Sequence, residues 1–195
     1  MVRYILFLSA FTLVLTSFTS FKNRAKWVIA QNSSLTINGS TNINKFSCAI
    51  LSYPKTDTIT INDLNDLVHL SGNLTLNVKN FECNNIMMTH QFRKTLKSEE
   101  FPLLNINFLS LKEFPNANSK LKQVKGLVAI KIAGVTKKYE ICYQLESQKN
   151  NLVLTGIQQV NFSDFKLIPP HRVGKMVRAK DQLNVIFELR MKVVD

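Results

Sequence analysis

The residues able to do chemistry are few and far apart. The three histidines, His69, His90 and His171, fall in separate segments, and none has a second His or a Cys at metal-ligand spacing. A zinc site needs several such ligands meeting in space. His90 occupies a polar position between apolar ones, as a surface histidine would. No HExxH, CxxC or GxSxG pattern is present. With only six glycines in the chain, there is little material for a glycine-rich phosphate cradle. Cys142 lies between Ile141 and Tyr143, on the face opposite the Tyr139/Ile141/Tyr143 row. A nucleophilic thiol needs a base beside it, and no His is close in sequence. Among the carboxylates, Glu99-Glu100 ends a helical pattern, and Asp63 and Asp66 read as a polar connection. Acid–base catalysis needs two groups converging in a cleft, and spacing in sequence does not show convergence. The expectation is a protein that is not an enzyme and has no metal and no catalytic residue.

Cys48 and Cys83 each follow an aromatic residue, in Phe46-Ser47-Cys48 and Phe81-Glu82-Cys83. In an oxidising compartment they could form one disulfide; otherwise they are two buried thiols packed as small hydrophobes. Three cysteines in 195 residues exclude a disulfide scaffold.

The chain carries 25 Lys+Arg against 13 Asp+Glu, a formal net charge of +12. Charged residues make up 19% and hydrophobic ones 45%, which excludes a disordered chain. Arg93, Lys94 and Lys97 share part of a helix surface, and Arg172, Lys175, Arg178 and Lys180 read as a loop before the last strand. Nucleic-acid binding would place exposed aromatics among the cations. Here the aromatics take the apolar face of strands, so no nucleic-acid partner is expected. Attraction to an anionic membrane surface fits better, beside the plainer reading of a solvated surface.

Residues 1–20 have the layout of a secretory signal peptide: Met1–Arg3, an apolar run from Tyr4 to Leu15, then small residues before Lys22-Asn23-Arg24. The run is shorter than the ~20 residues of a membrane span. Cleavage is expected between Phe18 and Lys22, giving a periplasmic or secreted protein. Residues 21–195 then form one domain; no linker or internal repeat divides them.

These side chains are held by a chain whose dominant pattern has period two. Leu35 and Ile37 begin it, followed by Phe46, Cys48 and Ile50, by Leu74, Leu76 and Val78, and by Leu104, Ile106 and Phe108. Val124 to Ile132, Tyr139 to Leu145, Leu152 and Leu154, Val160 and Phe162, and Leu183 to Val193 continue it. Such alternation marks antiparallel strands with one apolar face. Turns are expected at Asn38-Gly39-Ser40, Ser71-Gly72-Asn73, Pro115-Asn116-Ala117-Asn118 and Lys149-Asn150-Asn151. One stretch differs: between Asn84 and Glu99, Met88, Phe92 and Leu96 recur every four residues, with Asn84 or Asn85 as cap and Pro102 beyond the end. The fold class is therefore all-β: antiparallel, a sandwich or an about eight-stranded closed barrel, with one inserted short helix.

A barrel of that size can be filled by its own side chains or hold one small ligand. Strand parity turns Phe108, Ile130, Ile132, Tyr139, Tyr143, Phe162 and Phe187 inward as candidate cavity-lining residues. Periodicity alone does not separate a packed core from a cavity for an extended hydrophobic molecule.

The order of motifs resembles the bacterial YceI-like family. Trp27-Val28-Ile29 and the stretch from Ser34 through Gly39 to Phe46 are similar to its opening strands. The run from Leu96 to Ile106 resembles its helix end and following strand. Lys125-Gly126-Leu127-Val128-Ala129-Ile130-Lys131-Ile132-Ala133-Gly134-Val135-Thr136-Lys137-Lys138 is similar to its "G-x-L-x-I-x-G-V-T-K" hairpin, the most specific match. Asp164-Phe165-Lys166-Leu167 with Pro169-Pro170 and the final strand parallel its C-terminal pair. Departures are Ala133, where a polar residue is commoner, and Cys48/Cys83, which are not general to the family. The resemblance implies a lipocalin-like barrel around an elongated apolar tunnel, exported, with no catalytic residue. Some members carry a polyisoprenoid of the quinone type. The expected function is thus an exported lipid-binding protein that sequesters or transports an isoprenoid- or quinone-like molecule without another cofactor. The alternative is a non-enzymatic structural or stress-response module acting through its basic surface on membrane or protein partners. Oligomeric state is left open, a dimer included.

Overall fold

The structure, a computed structural model, describes residues 24–64, 67–113, 122–148, 151–172 and 176–194. The signal-peptide reading of residues 1–20, the turn at 115–118, Asp66, Lys149-Asn150 and Lys175 lie outside the described residues.

The strands are β1 (Arg24–Ile29), β2 (Ser34–Thr41), β3 (Lys45–Ile50), β4 (Thr58–Leu64), β5 (Leu67–Asn77) and β6 (Glu82–Cys83). After helix α1 (Ile86–Thr95) come β7 (Leu103–Leu111), β8 (Lys122–Ile132), β9 (Val135–Gln148), β10 (Asn151–Asn161), β11 (His171–Arg172) and β12 (Val177–Val194). The order β1-β4-β5-β7-β8-β9-β10-β12 closes through antiparallel pairing of β1 with β12, Trp27 opposite Val193 and Ile29 opposite Met191. The molecule is a closed, antiparallel eight-stranded barrel, with no free edge around that ring.

β2 and β3 extend the wall begun by β1 and β4. β12 pairs with β1 at 191–194 and with β2 at 179–188, so its 18 residues hold both. The chain kinks between β1 and β2, and that kink keeps its polar groups paired. Ala30 N–H donates to the Arg190 carbonyl at 2.7 Å, and the Ser33 hydroxyl oxygen accepts from Arg190 N–H at 3.0 Å. Ser33 is buried there without leaving a polar atom unpaired.

The helix covers one end of the barrel. Asn85 caps it, its side chain accepting from Met88 N–H at 2.8 Å. Phe92 and Leu96 are buried and Met88 packs against the core, so the four-residue stripe is the inward face. Phe92 meets Phe81 edge-on at 5.5 Å. Helix α1 is shorter than the Asn84–Glu99 pattern. Lys97 turns left-handed at φ 54°, and Ser98 N–H bonds back to the Arg93 carbonyl at 3.0 Å, ending the helix well before Pro102. Arg93 does not stand free on the surface, because its guanidinium donates to the Phe81 carbonyl at 2.9 and 3.1 Å.

Two expected turns are instead strand interior. Asn38-Gly39-Ser40 lies inside β2, where a Cβ on Gly39 would collide with the Phe46 ring and with Leu183. Ser71-Gly72-Asn73 lies inside β5 at a register shift, and a Cβ on Gly72 would come within 2.9 Å of the Ile59 backbone. Both glycines serve close approach, the second reason for glycine in a strand. Asp63 belongs to β4, not to a connection, because Ile59 and Ile61 give that segment an inward face. Arg178 and Lys180 likewise sit in β12, with Arg178 opposite His171 of β11.

Candidate functional site: the barrel interior

Among the described residues a single apolar cluster fills the barrel, and small voids lie along it, three of them linked by shared side chains. The central void, about 50 Å³, is bounded by Leu35, Ile106, Phe108, Ile130, Tyr143 and Phe187 among others. A second of about 40 Å³ lies under the helix, against Phe92, Leu96, Ile132 and Phe162. A third of about 10 Å³ lies toward Trp27 and Met191. The first two share Leu35, Ile106, Ile130 and Val185. The first and third share Phe108, Tyr143 and Leu189. Each partition is thus made of side chains, which change rotamer far more cheaply than strands change register.

Of the residues that parity turns inward, Phe108, Ile130, Tyr143 and Phe187 border the central void, and Ile132 and Phe162 the void under the helix. Tyr139 stands apart from all three: half-buried, it donates to Asp164 at 3.1 Å and packs near Phe165. Tyr143 and Phe187, on the strands either side of β10 and both opposite Gly156, meet edge-on at 5.5 Å over that glycine.

Ser33, Ser34, Tyr53 and Gln158 also border the central void, whose surface is nonetheless almost wholly apolar, and strand patterning singled out none of them. Ser33 and Tyr53 sit in connections, invisible to parity. Gln158 had a signal, because it continues the inward row Leu152, Leu154, Gly156 of β10. The ladder between β9 and β10 ends at Gly156 opposite Tyr143 although both strands run on, and Gln158 lies just past that point. The Tyr53 hydroxyl donates to the Asp57 carboxylate.

Burial pushes the Tyr143 phenol above its ordinary value of 10.0. Tyr53 and Tyr139 are raised too, first by burial and then by the adjacent Asp57 and Asp164 carboxylates. Every one of these shifts favours the neutral phenol, so none prepares a tyrosinate base or nucleophile at neutral pH.

Outside the barrel, His69, His90 and His171 are each exposed. Among the described residues no group of three His, Cys, Asp or Glu side chains could hold a metal ion. Cys48 and Cys83, directly opposite across β3 and β6, are joined as a disulfide, and Cys142 is a free, exposed cysteine. No helix among the described residues is long and apolar enough to cross a membrane.

Fold and interior together define a closed barrel organised around an apolar axis. Its architecture is that of the YceI-like proteins. Burkholderia cenocepacia BcnA superposes with a TM-score of 0.59 at 12% identity, spanning 81% of this chain and 95% of that one. A polyisoprenoid-binding domain from Saccharophagus degradans, implicated in plant cell wall breakdown, gives 0.58 at 9% identity, over 86% and 98% of the two chains. A mutant YceI protein from Campylobacter jejuni gives 0.50 at 16% identity, over 62% of this chain and 70% of that one. No family model matches the sequence, and no curated protein does.

Proposed function

We propose that this protein is a carrier that holds an extended apolar molecule of the isoprenoid or quinone class along the barrel axis, outside the cytoplasm, and does no chemistry on it. The observation that carries the reading is the series of apolar voids separated only by side chains. Ligand pockets are commonly ~300–1,000 Å³, so a bound chain would join the voids by swinging Ile106, Ile130, Phe108 and Leu189 aside. Gln158 and Tyr53 border the central void, but its surface is almost wholly apolar, which suits the hydrocarbon part of such a chain. The polyisoprenoid-binding domain with the same architecture supports the ligand class. The Cys48–Cys83 bond supports an oxidising compartment, in keeping with the expectation of a secretory leader from the sequence.

Native mass spectrometry of protein purified from its own host, with organic extraction, tests the proposal. A lipid of the isoprenoid class is expected at about one per chain, together with a rise in melting temperature on adding polyprenyl quinones. Lipid-free protein whose melting temperature ignores those quinones would overturn it. One observation favours a second reading: the voids are small beside a long isoprenoid, which suits a filled core and a module acting through its surface. The same experiment separates the two.

A further inference from the structure

A surface groove of about 330 Å³ opens at the helix-capped end, between the β2–β3 hairpin, the first turns of α1 and the start of β12. Its floor includes Phe46, Met88 and Phe92. Phe92 also borders the internal void beneath the helix, so its side chain is common to the groove and the barrel interior.

The rim is apolar where a soluble surface would be polar. Ile43, Ile86, Met87, Ile168 and Met176 are each at least 60% exposed, and each lies within two residues of the groove lining. The hairpin tip is fixed against the start of β12: the Asn42 side chain donates to the Met176 carbonyl at 2.9 Å and accepts from Arg178 N–H at 3.0 Å. Ile43 and Met176 are therefore held on one side of the same groove. Lys45, Arg178 and Lys180 are exposed in the same segments, and residues 41–47, 84–91, 168–171 and 176–180 contain no Asp or Glu; of the carboxylates just beyond them, Asp181 is taken up by Ser163 and Glu82 is exposed on β6. Exposed aliphatic residues beside cations, with no anion among them, match the interface of an anionic bilayer: acyl boundary for the first, head-group phosphate for the second.

We infer that the helix-capped end docks on an anionic membrane surface, with Ile43, Ile86 and Met176 entering the interface and Lys45 and Lys180 on the head groups. Docking sets the groove over Phe92 against the layer in which an isoprenoid chain resides. That route into the barrel rests on the carrier reading above, whereas docking itself does not.

Co-sedimentation with vesicles of phosphatidylcholine, alone or mixed with phosphatidylglycerol, tests docking independently of cargo. The protein is expected to bind the mixed vesicles, and to release them as salt shortens the screening length from ~10 Å at 0.1 M to ~3 Å at 1 M. Lys45→Gln with Lys180→Gln should weaken binding about 25-fold, at roughly five-fold for each cation. Ile43→Ser with Ile86→Ser and Met176→Ser should weaken it on the order of ten-fold or more. Ile157→Ser, an exposed apolar residue on β10, should bind as the parent does. All these side chains are exposed, and an unchanged melting temperature verifies folding of each variant. Equal binding to phosphatidylcholine alone, rim variants that bind like the parent, or no vesicle binding would each overturn the inference.

Discussion

Tyr143 shows how little acid–base capacity the interior has. The unfolded chain ionises its tyrosines near pH 10, while burial holds the Tyr143 phenol protonated above that. Above pH 10 the folded state therefore binds more protons than the unfolded one, and stability falls as pH rises. Its contribution to the decline is up to about 1.4 kcal/mol per pH unit. Urea titrations between pH 9 and 11 should show a shallower decline for Tyr143→Phe than for the parent, with both curves flat below pH 9 in this respect. Identical slopes would mean that burial does not govern that phenol. At the same scale, Gly39 illustrates a residue whose meaning depends on its neighbour: it is where the Phe46 ring lies, and a turn never forms there.

Among the elements, β3 and β6 depend most on a single link. β6 has two residues, and its partners on β3 are Cys48 and Ala49. The Cys48–Cys83 disulfide spans 35 residues of sequence and ties the β3 wall to the segment leading into α1. Closing a loop of that length stabilises by about 3–4 kcal/mol on chain-entropy grounds. The Cys48→Ala, Cys83→Ala double variant should lose about that amount in denaturant titration. Thiol titration of the unreduced parent should count only Cys142. The helix has other anchors, Phe92 on Phe81 and Arg93 on the Phe81 carbonyl, so it should remain helical when the bond is removed.

For the whole molecule, the decisive property is that the partitions between voids are side chains while the wall is a continuous ladder. Ile130 borders two voids at once. Ile130→Phe should block the axis and cost about 1–3 kcal/mol through overpacking. The variant should remain a folded barrel by circular dichroism, yet show no melting-temperature rise with polyprenyl quinones. An undiminished rise would place the ligand elsewhere.

What the sequence determined by itself was most of the longer strands, the inward rows and the helical stripe, because each is a local periodicity fixed by backbone geometry. Parity turned Phe108, Ile130, Tyr143 and Phe187 toward the axis, and the structure puts them around one void. Tertiary structure decided the rest. Gly39 and Gly72 read as turns until a ring and a neighbouring backbone occupied the space of their missing Cβ atoms, partners distant in sequence. β4 escaped notice because Asp63 and Asp66 read as a polar connection although Ile59 and Ile61 alternate, and Ser33 and Tyr53 because connections have no period to reveal their direction. Closure through β1 and β12 joins the two ends of the described chain, a pairing that no local pattern encodes. The exposed apolar rim at the helix-capped end is likewise a product of closure. Ile43, Ile86 and Met176 are far apart in sequence, and only the barrel brings their segments to one groove.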